Sequence, residues 1–75
     1  MYYYRTSDGI FLIAQRSGRW HVLFDNESLG SYATPQQAAD DLAGGHTFSP
    51  GHGIDTSKLG IPDDINEWSR GTPAN

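Results

Sequence analysis

The sequence has no cysteine, so it has neither a disulfide framework nor a thiolate metal site, and the fold must stand on its apolar core. Long hydrophobic runs are also missing. The longest, Ile10 to Ala14, is five residues, against about 20 for a membrane-spanning helix. A secretory leader is not expected either, because Met1-Tyr2-Tyr3-Tyr4-Arg5 lacks a basic stretch followed by an apolar one. Together these absences point to a cytoplasmic protein with no membrane partner. Basic residues are scarce: five Lys and Arg face nine acids, for a formal charge of −4, which sets the whole chain against polyanions. Aliphatic bulk is thin as well. Leu, Ile, Val and Phe make up 14 of 75 residues, close to the level at which chains fail to fold. Four Tyr and two Trp offset this, most of them in strand-like runs where each buries a large area. A chain of this length supports one core, and the reading is a single domain over residues 1–70 with a loose tail at 71–75.

Three short runs open the chain as a meander. Tyr2 to Thr6 ends at Ser7-Asp8-Gly9, where Asp-Gly predicts a type I′ hairpin turn. Ile10 to Arg16 follows, then a tight Ser17-Gly18 turn. Arg19 to Asp25 alternates Trp20, Val22 and Phe24 with Arg19, His21 and Leu23. Asp25 to Ser28 is a polar turn, and Leu29 to Tyr32 is a short fourth strand or an extended return. Thr34-Pro35-Gln36-Gln37 then has the three parts of a helix start: a capping hydroxyl, a proline in the first turn and an amide three residues on. The helix would run to about Ala43 and stop at Gly44-Gly45, with Ala38, Ala39, Leu42 and Ala43 on its apolar side.

Residues 44–75 have a different texture, holding six of nine glycines and three of four prolines. His46 to Gly53 (HTFSPGHG) is a loop by composition. Ile61, Ile65 and Trp68 fall at helical spacing behind Pro62-Asp63-Asp64, which predicts a short second helix that lays Trp68 on the core. The expected fold is therefore α+β: a three- to four-stranded antiparallel sheet packed by one α-helix over residues 2–43, then a loop-rich segment, 44–70, carrying a short helix. Charge divides along the chain. Residues 1–24 carry a net +2 and residues 25–75 a net −6.

The stretch Gly18-Arg19-Trp20-His21-Val22-Leu23-Phe24, with Leu29-Gly30-Ser31-Tyr32-Ala33-Thr34-Pro35-Gln36-Gln37-Ala38-Ala39, resembles strand 3 and the helix entry of the plant ethylene-response-factor and integrase N-terminal DNA-binding domains. The resemblance covers about residues 2–43. It implies a three-stranded sheet backed by a helix, with an Arg-rich exposed sheet face that lies in the major groove; here that face of the third strand would show Arg19, His21, Leu23 and Asp25. The chain also resembles small bacterial proteins of unassigned role.

Two candidate surfaces emerge. Arg5, Arg16 and Arg19, interleaved with Trp20 and the N-terminal tyrosines, could contact nucleic acid. The second strand is apolar on both faces, with Ile10, Leu12 and Ala14 on one and Phe11 and Ile13 on the other, so a helix covering one face leaves the other to be explained. The C-terminal segment, with Phe48, Ile54 and Trp68, is expected to wrap it. Otherwise Phe11, Ile13 and Leu23 would mark an apolar face for a protein partner or a homodimer. Metal and cofactor chemistry is not expected, because His46-x5-His52-x2-Asp55 is too loose for a tetrahedral site. Catalysis is not expected either: no serine sits in a nucleophile elbow, no Gly-rich stretch ends as a P-loop, and Asp40-Asp41 and Asp63-Asp64 are adjacent pairs that do not face one another. Those four acids also allow a remote reading as a mimic of nucleic acid. The preferred function is a non-catalytic interaction module that binds a protein or itself, with nucleic-acid binding as the alternative.

Overall fold

The computed structural model describes residues 1–51 and 53–73. Four strands, β1 (Tyr2–Thr6), β2 (Gly9–Arg16), β3 (Arg19–Phe24) and β4 (Glu27–Tyr32), form an antiparallel meander, and helix α1 (Pro35–Ala43) crosses one side of it. Two 3₁₀ turns follow, Thr56–Lys58 and Ile65–Glu67, and a two-residue strand, β5 (Ser69–Arg70), returns to pair with β1. The sheet order is β4-β3-β2-β1-β5. The α+β class and the single packing helix are as the sequence indicates, and the extended return is a true fourth strand.

The hairpins differ in their turns. Ser17-Gly18 and Asp25-Asn26 each hold two residues at positive φ, the condition for a two-residue I′ loop whose twist matches its strands. The first hairpin does not. Thr6 pairs with Gly9, so the loop residues are Ser7 and Asp8, and of these three only Gly9 has positive φ, at 138°. Thr6 Oγ1 decides it: it donates to the Gly9 carbonyl at 2.8 Å and accepts from the Asp8 N–H at 3.2 Å, closing the turn one residue earlier than Asp-Gly would.

The core lies between the sheet and α1. Phe11, Ile13, Val22, Leu29, Ala38, Ala39 and Leu42 are fully buried there, joined by Phe24, Ile61 and Trp68. Small alanines on α1 bring its axis close to the strands. A register shift at Val22/Leu23 sets Gly30 opposite Val22 and Ser28 opposite Leu23, which leaves Leu29 as the additional residue that fills the core. Gly30 allows the Tyr32 ring to lie against β4, since a Cβ there would stand 2.9 Å from the Tyr32 hydroxyl oxygen. Thr34 caps α1 by accepting from the Gln37 N–H at 3.1 Å, and Gln37 Oε1 reaches back to the N–H of Ala33.

The C-terminal segment packs on the helix side, not on the second face of the sheet. Gln36 holds it by donating to the Asp63 carbonyl at 2.6 Å and accepting from the Ile65 N–H at 3.0 Å. Thr56 Oγ1, buried, donates to the Leu42 carbonyl at 2.8 Å. Trp68 does return to the core, 5.8 Å from the Tyr4 ring with its indole N–H on the Pro62 carbonyl. The element before it is one 3₁₀ turn rather than an α-helix, because Asp64 caps at Asn66 and Trp68 is already extended. Phe48 is 76% exposed and covers nothing. The Tyr2–Tyr4 edge is closed by β5 at Tyr2 and Tyr3, and the Gly71 N–H donates to the Met1 carbonyl. Residues 74 and 75 of the expected tail lie outside the described residues.

Candidate functional site

Strand alternation and register define what each face of the sheet carries. Ile13 pairs with Val22 and, one step away, Leu12 with Leu23, so Phe11, Ile13, Trp20, Val22 and Phe24 share the helix side. Tyr3, Arg5, Ile10, Leu12, Ala14, Arg16, Arg19, His21, Leu23, Ser28 and Ser31 share the other. No helix packs on that side among the described residues: α1 lies across β2, β3 and β4 from the core side, and both 3₁₀ turns contact α1.

This open face has a layered composition. Leu12 and Leu23 are cross-strand partners at its centre, and Leu23 is 3% exposed although it is absent from the core cluster. Its direct neighbours on this face are Leu12 across β2 and Ser28 across β4. At one end is Arg5, its guanidinium 5.5 Å from the Tyr3 ring centroid. At the other are Arg16 and Arg19, directly opposite one another across the Ser17-Gly18 turn. Arg16 is six residue steps along β2 from Ile10, the partner of Arg5, about 20 Å of extended chain.

Two of these side chains are held by β4. Arg19 donates from Nε to Ser31 Oγ and from Nη2 to the Ser31 carbonyl, each at 3.1 Å. His21 Nδ1 lies 2.9 Å from Ser28 Oγ. Every charged side chain that β1 to β4 place on this face is an arginine. The one acid within those strands, Glu27, pairs with Phe24 and belongs to the other side. The acids of α1 and of the segment packed on it, among them Asp40, Asp41, Asp63 and Asp64, lie across the sheet from the arginines. The formal charge of −4 is therefore divided spatially, with a basic sheet face and an acidic back.

The sequence-derived site residues sort cleanly. Arg5, Arg16 and Arg19 all lie on the open face, Arg16 and Arg19 together at one end and Arg5 at the other. Trp20 does not: it faces the helix side, 5.9 Å from the Tyr2 ring and partly buried against the core. Phe11 and Ile13, proposed as a protein-binding surface, have no exposed area and lie in the core beneath α1, where no partner can reach them. Leu23 is on the open face, as floor rather than as exposed surface. Tyr3 and His21 complete the face. The two-residue Ser17-Gly18 turn fixes Arg16 opposite Arg19 and Ala14 opposite His21, whereas Tyr3 is placed by the β1–β2 pairing, opposite Leu12.

The two described histidines lie apart. His21 is on the sheet, His46 follows the C-terminal end of α1, and His52 lies outside the described residues. Among the described residues no three His, Asp or Glu side chains could hold a metal ion together. Asp55 is committed to capping a 3₁₀ turn, accepting from the Ser57 hydroxyl at 2.6 Å and its N–H at 3.0 Å, and these bonds hold its carboxyl below the usual range. A groove of about 440 Å³ between Asp40, His46 and Asp63 is open and polar, unlike the enclosed apolar pockets that take small molecules. Tyr32, on the helix side, has its phenol pushed up to about 12 by burial and by its hydrogen bond to Asp41.

No helix among the described residues is long and apolar enough to cross a membrane. Comparison with family models, with curated proteins and with solved structures finds no match to this chain.

Proposed function

We propose that this chain is a non-catalytic binding module whose working surface is the open sheet face and whose ligand is the phosphate backbone of a nucleic acid. The observation that carries this reading is that Arg5, Arg16 and Arg19 share one face of the sheet, on which β1 to β4 place no acid and no described helix packs. Arg16 and Arg19 stand opposite each other, and like charges in that position weaken a sheet unless an anion comes between them. The acidic balance of the whole chain is not decisive. The molecule is 22 Å across its shortest axis, while charges are screened over about 8 Å at physiological salt. A phosphate at the open face therefore meets the near arginines much more strongly than the acids behind the sheet. The resemblance of residues 2–43 to domains that bind DNA through a sheet face supports the same choice.

A second reading, a protein partner or a second copy on the same face, rests on Ile10, Leu12 and Leu23 lying between the arginines. Both are tested by an amide chemical-shift titration of labelled protein with mixed-sequence single- and double-stranded oligonucleotides. Shifts should cluster on Tyr3, Arg5, Arg16, Arg19 and His21. If each arginine neutralises one phosphate, the logarithm of affinity should fall with the logarithm of salt at a slope of about −2.7 for duplex and about −2.1 for single strands. Silence at low salt, where backbone contacts are strongest, would sink the nucleic-acid reading and leave the protein partner.

A further inference from the structure

We infer that His21 is a proton-dependent contact for the phosphate backbone, so that the open face holds nucleic acid more tightly below neutral pH; this rests on the reading of that face given above. His21 Nδ1 lies 2.9 Å from Ser28 Oγ, whose single hydroxyl proton can go to that nitrogen or to the Gly30 carbonyl at 3.4 Å. Nε2 has no hydrogen-bond partner among the described residues. In either neutral tautomer, protonation makes both ring nitrogens donors and adds a positive charge beside Arg19, on a half-buried ring midway along the β3 side of the face.

The surroundings decide when that happens. Arg19 is two residues along the same strand, and Arg16 is the nearest charge on β2. The Met1 amine lies just before β1, and β4 presents only Ser28 and Ser31. α1 packs on the other side of the sheet and places nothing against the ring. None of the strand residues that share this face with His21 is a carboxylate, so the counter-charge must come from the ligand. A phosphate bound between Arg19 and His21 supplies it, and by linkage binding and proton uptake then reinforce each other.

The test is fluorescence anisotropy of the full chain with a labelled mixed-sequence oligonucleotide at fixed low salt, at pH 7.5 and pH 5.5. Affinity should rise roughly tenfold at the lower pH, the value of one charge-assisted hydrogen bond, and the salt slope should steepen by about 0.9. His21→Gln should lose the gain, its affinity at pH 5.5 matching its own affinity at pH 7.5. His21→Lys should bind at pH 7.5 as the native chain does at pH 5.5. The His21 ring resonances should titrate at higher pH with oligonucleotide present than without. A gain that survives in His21→Gln would assign it to the Met1 amine, His46 or the carboxylates, and overturn the inference. Binding that is equal at both pH values would overturn it too, leaving the nucleic-acid reading intact, whereas no binding at either pH removes both.

Discussion

The two faces of the sheet bury apolar side chains by different means. On the helix side Phe11, Ile13, Val22 and Leu29 are sealed by α1 and by the Ile61–Trp68 segment, elements fixed through backbone and side-chain hydrogen bonds such as those of Gln36 and Thr56. On the open side Leu23 is nearly as buried, at 3%, with no described helix packed over it. Equal burial is thus reached with a packed element on one side and without one on the other.

The largest expected effect tests the sealed side. Trp68→Ala removes a ring that is 4% exposed and a hydrogen bond to the Pro62 carbonyl, and should cost about 3–5 kcal/mol, most of the stability of a domain this small. Leu23→Ala, at almost the same exposure, should cost only about 2 kcal/mol, the low end for such truncations, because no described helix packed over it holds the space open. Urea denaturation of both variants checks the contrast, and equal losses would abolish it.

A smaller effect concerns Tyr32. Its folded-state pKa is raised to about 12 from 10.0, so the fold favours the protonated phenol. That contribution is fully present below pH 10 and is lost as pH rises from 10 toward 12. Thermal melts across this range should show a step that Tyr32→Phe lacks, and phenolate absorbance should show one tyrosine ionising late.

The smallest effect on stability belongs to the open side. Arg16→Glu replaces a like-charge pair with an opposite one and should raise stability by about 0.5 kcal/mol, while weakening oligonucleotide binding and lowering the magnitude of its salt slope. A variant that is more stable and binds less well would place the cost of the Arg16–Arg19 pair with function. Lost stability would instead mean that the Arg16 stem is needed to cover Leu12 and Ala14.

How much of this the residues announce depends on how regular their patterning is. The meander and α1 are legible because Trp20, Val22 and Phe24 alternate cleanly and because Thr34, Pro35 and Gln37 each have a specific physical role. β2 is not legible alone: both its faces are apolar, so periodicity cannot say which lies under the helix. Only its register with β3 settles that Phe11 and Ile13 are core. β5 is two residues long and carries no pattern; what fixes it is Trp68 entering the core just before it. The Asp8-Gly9 turn misleads because the Thr6 hydroxyl competes for the same backbone groups. The three arginines of the face are visible in the sequence, and so is the exclusion of Trp20 from it, once strict alternation is applied.

The pairing of β5 with β1 also has a consequence for synthesis. β1 is completed by β5, the strand of this sheet furthest from it along the chain, and Trp68 fills the core beside Tyr4. The meander and α1 can assemble while the chain is still growing, but their shared core stays open on one flank until residue 70 is released. Until then the tyrosine-rich β1 keeps a bare strand edge, which can pair with other chains. The time between synthesis of residue 43 and residue 70 is a few seconds at cellular elongation rates, a lower limit on how long that edge waits for its partner.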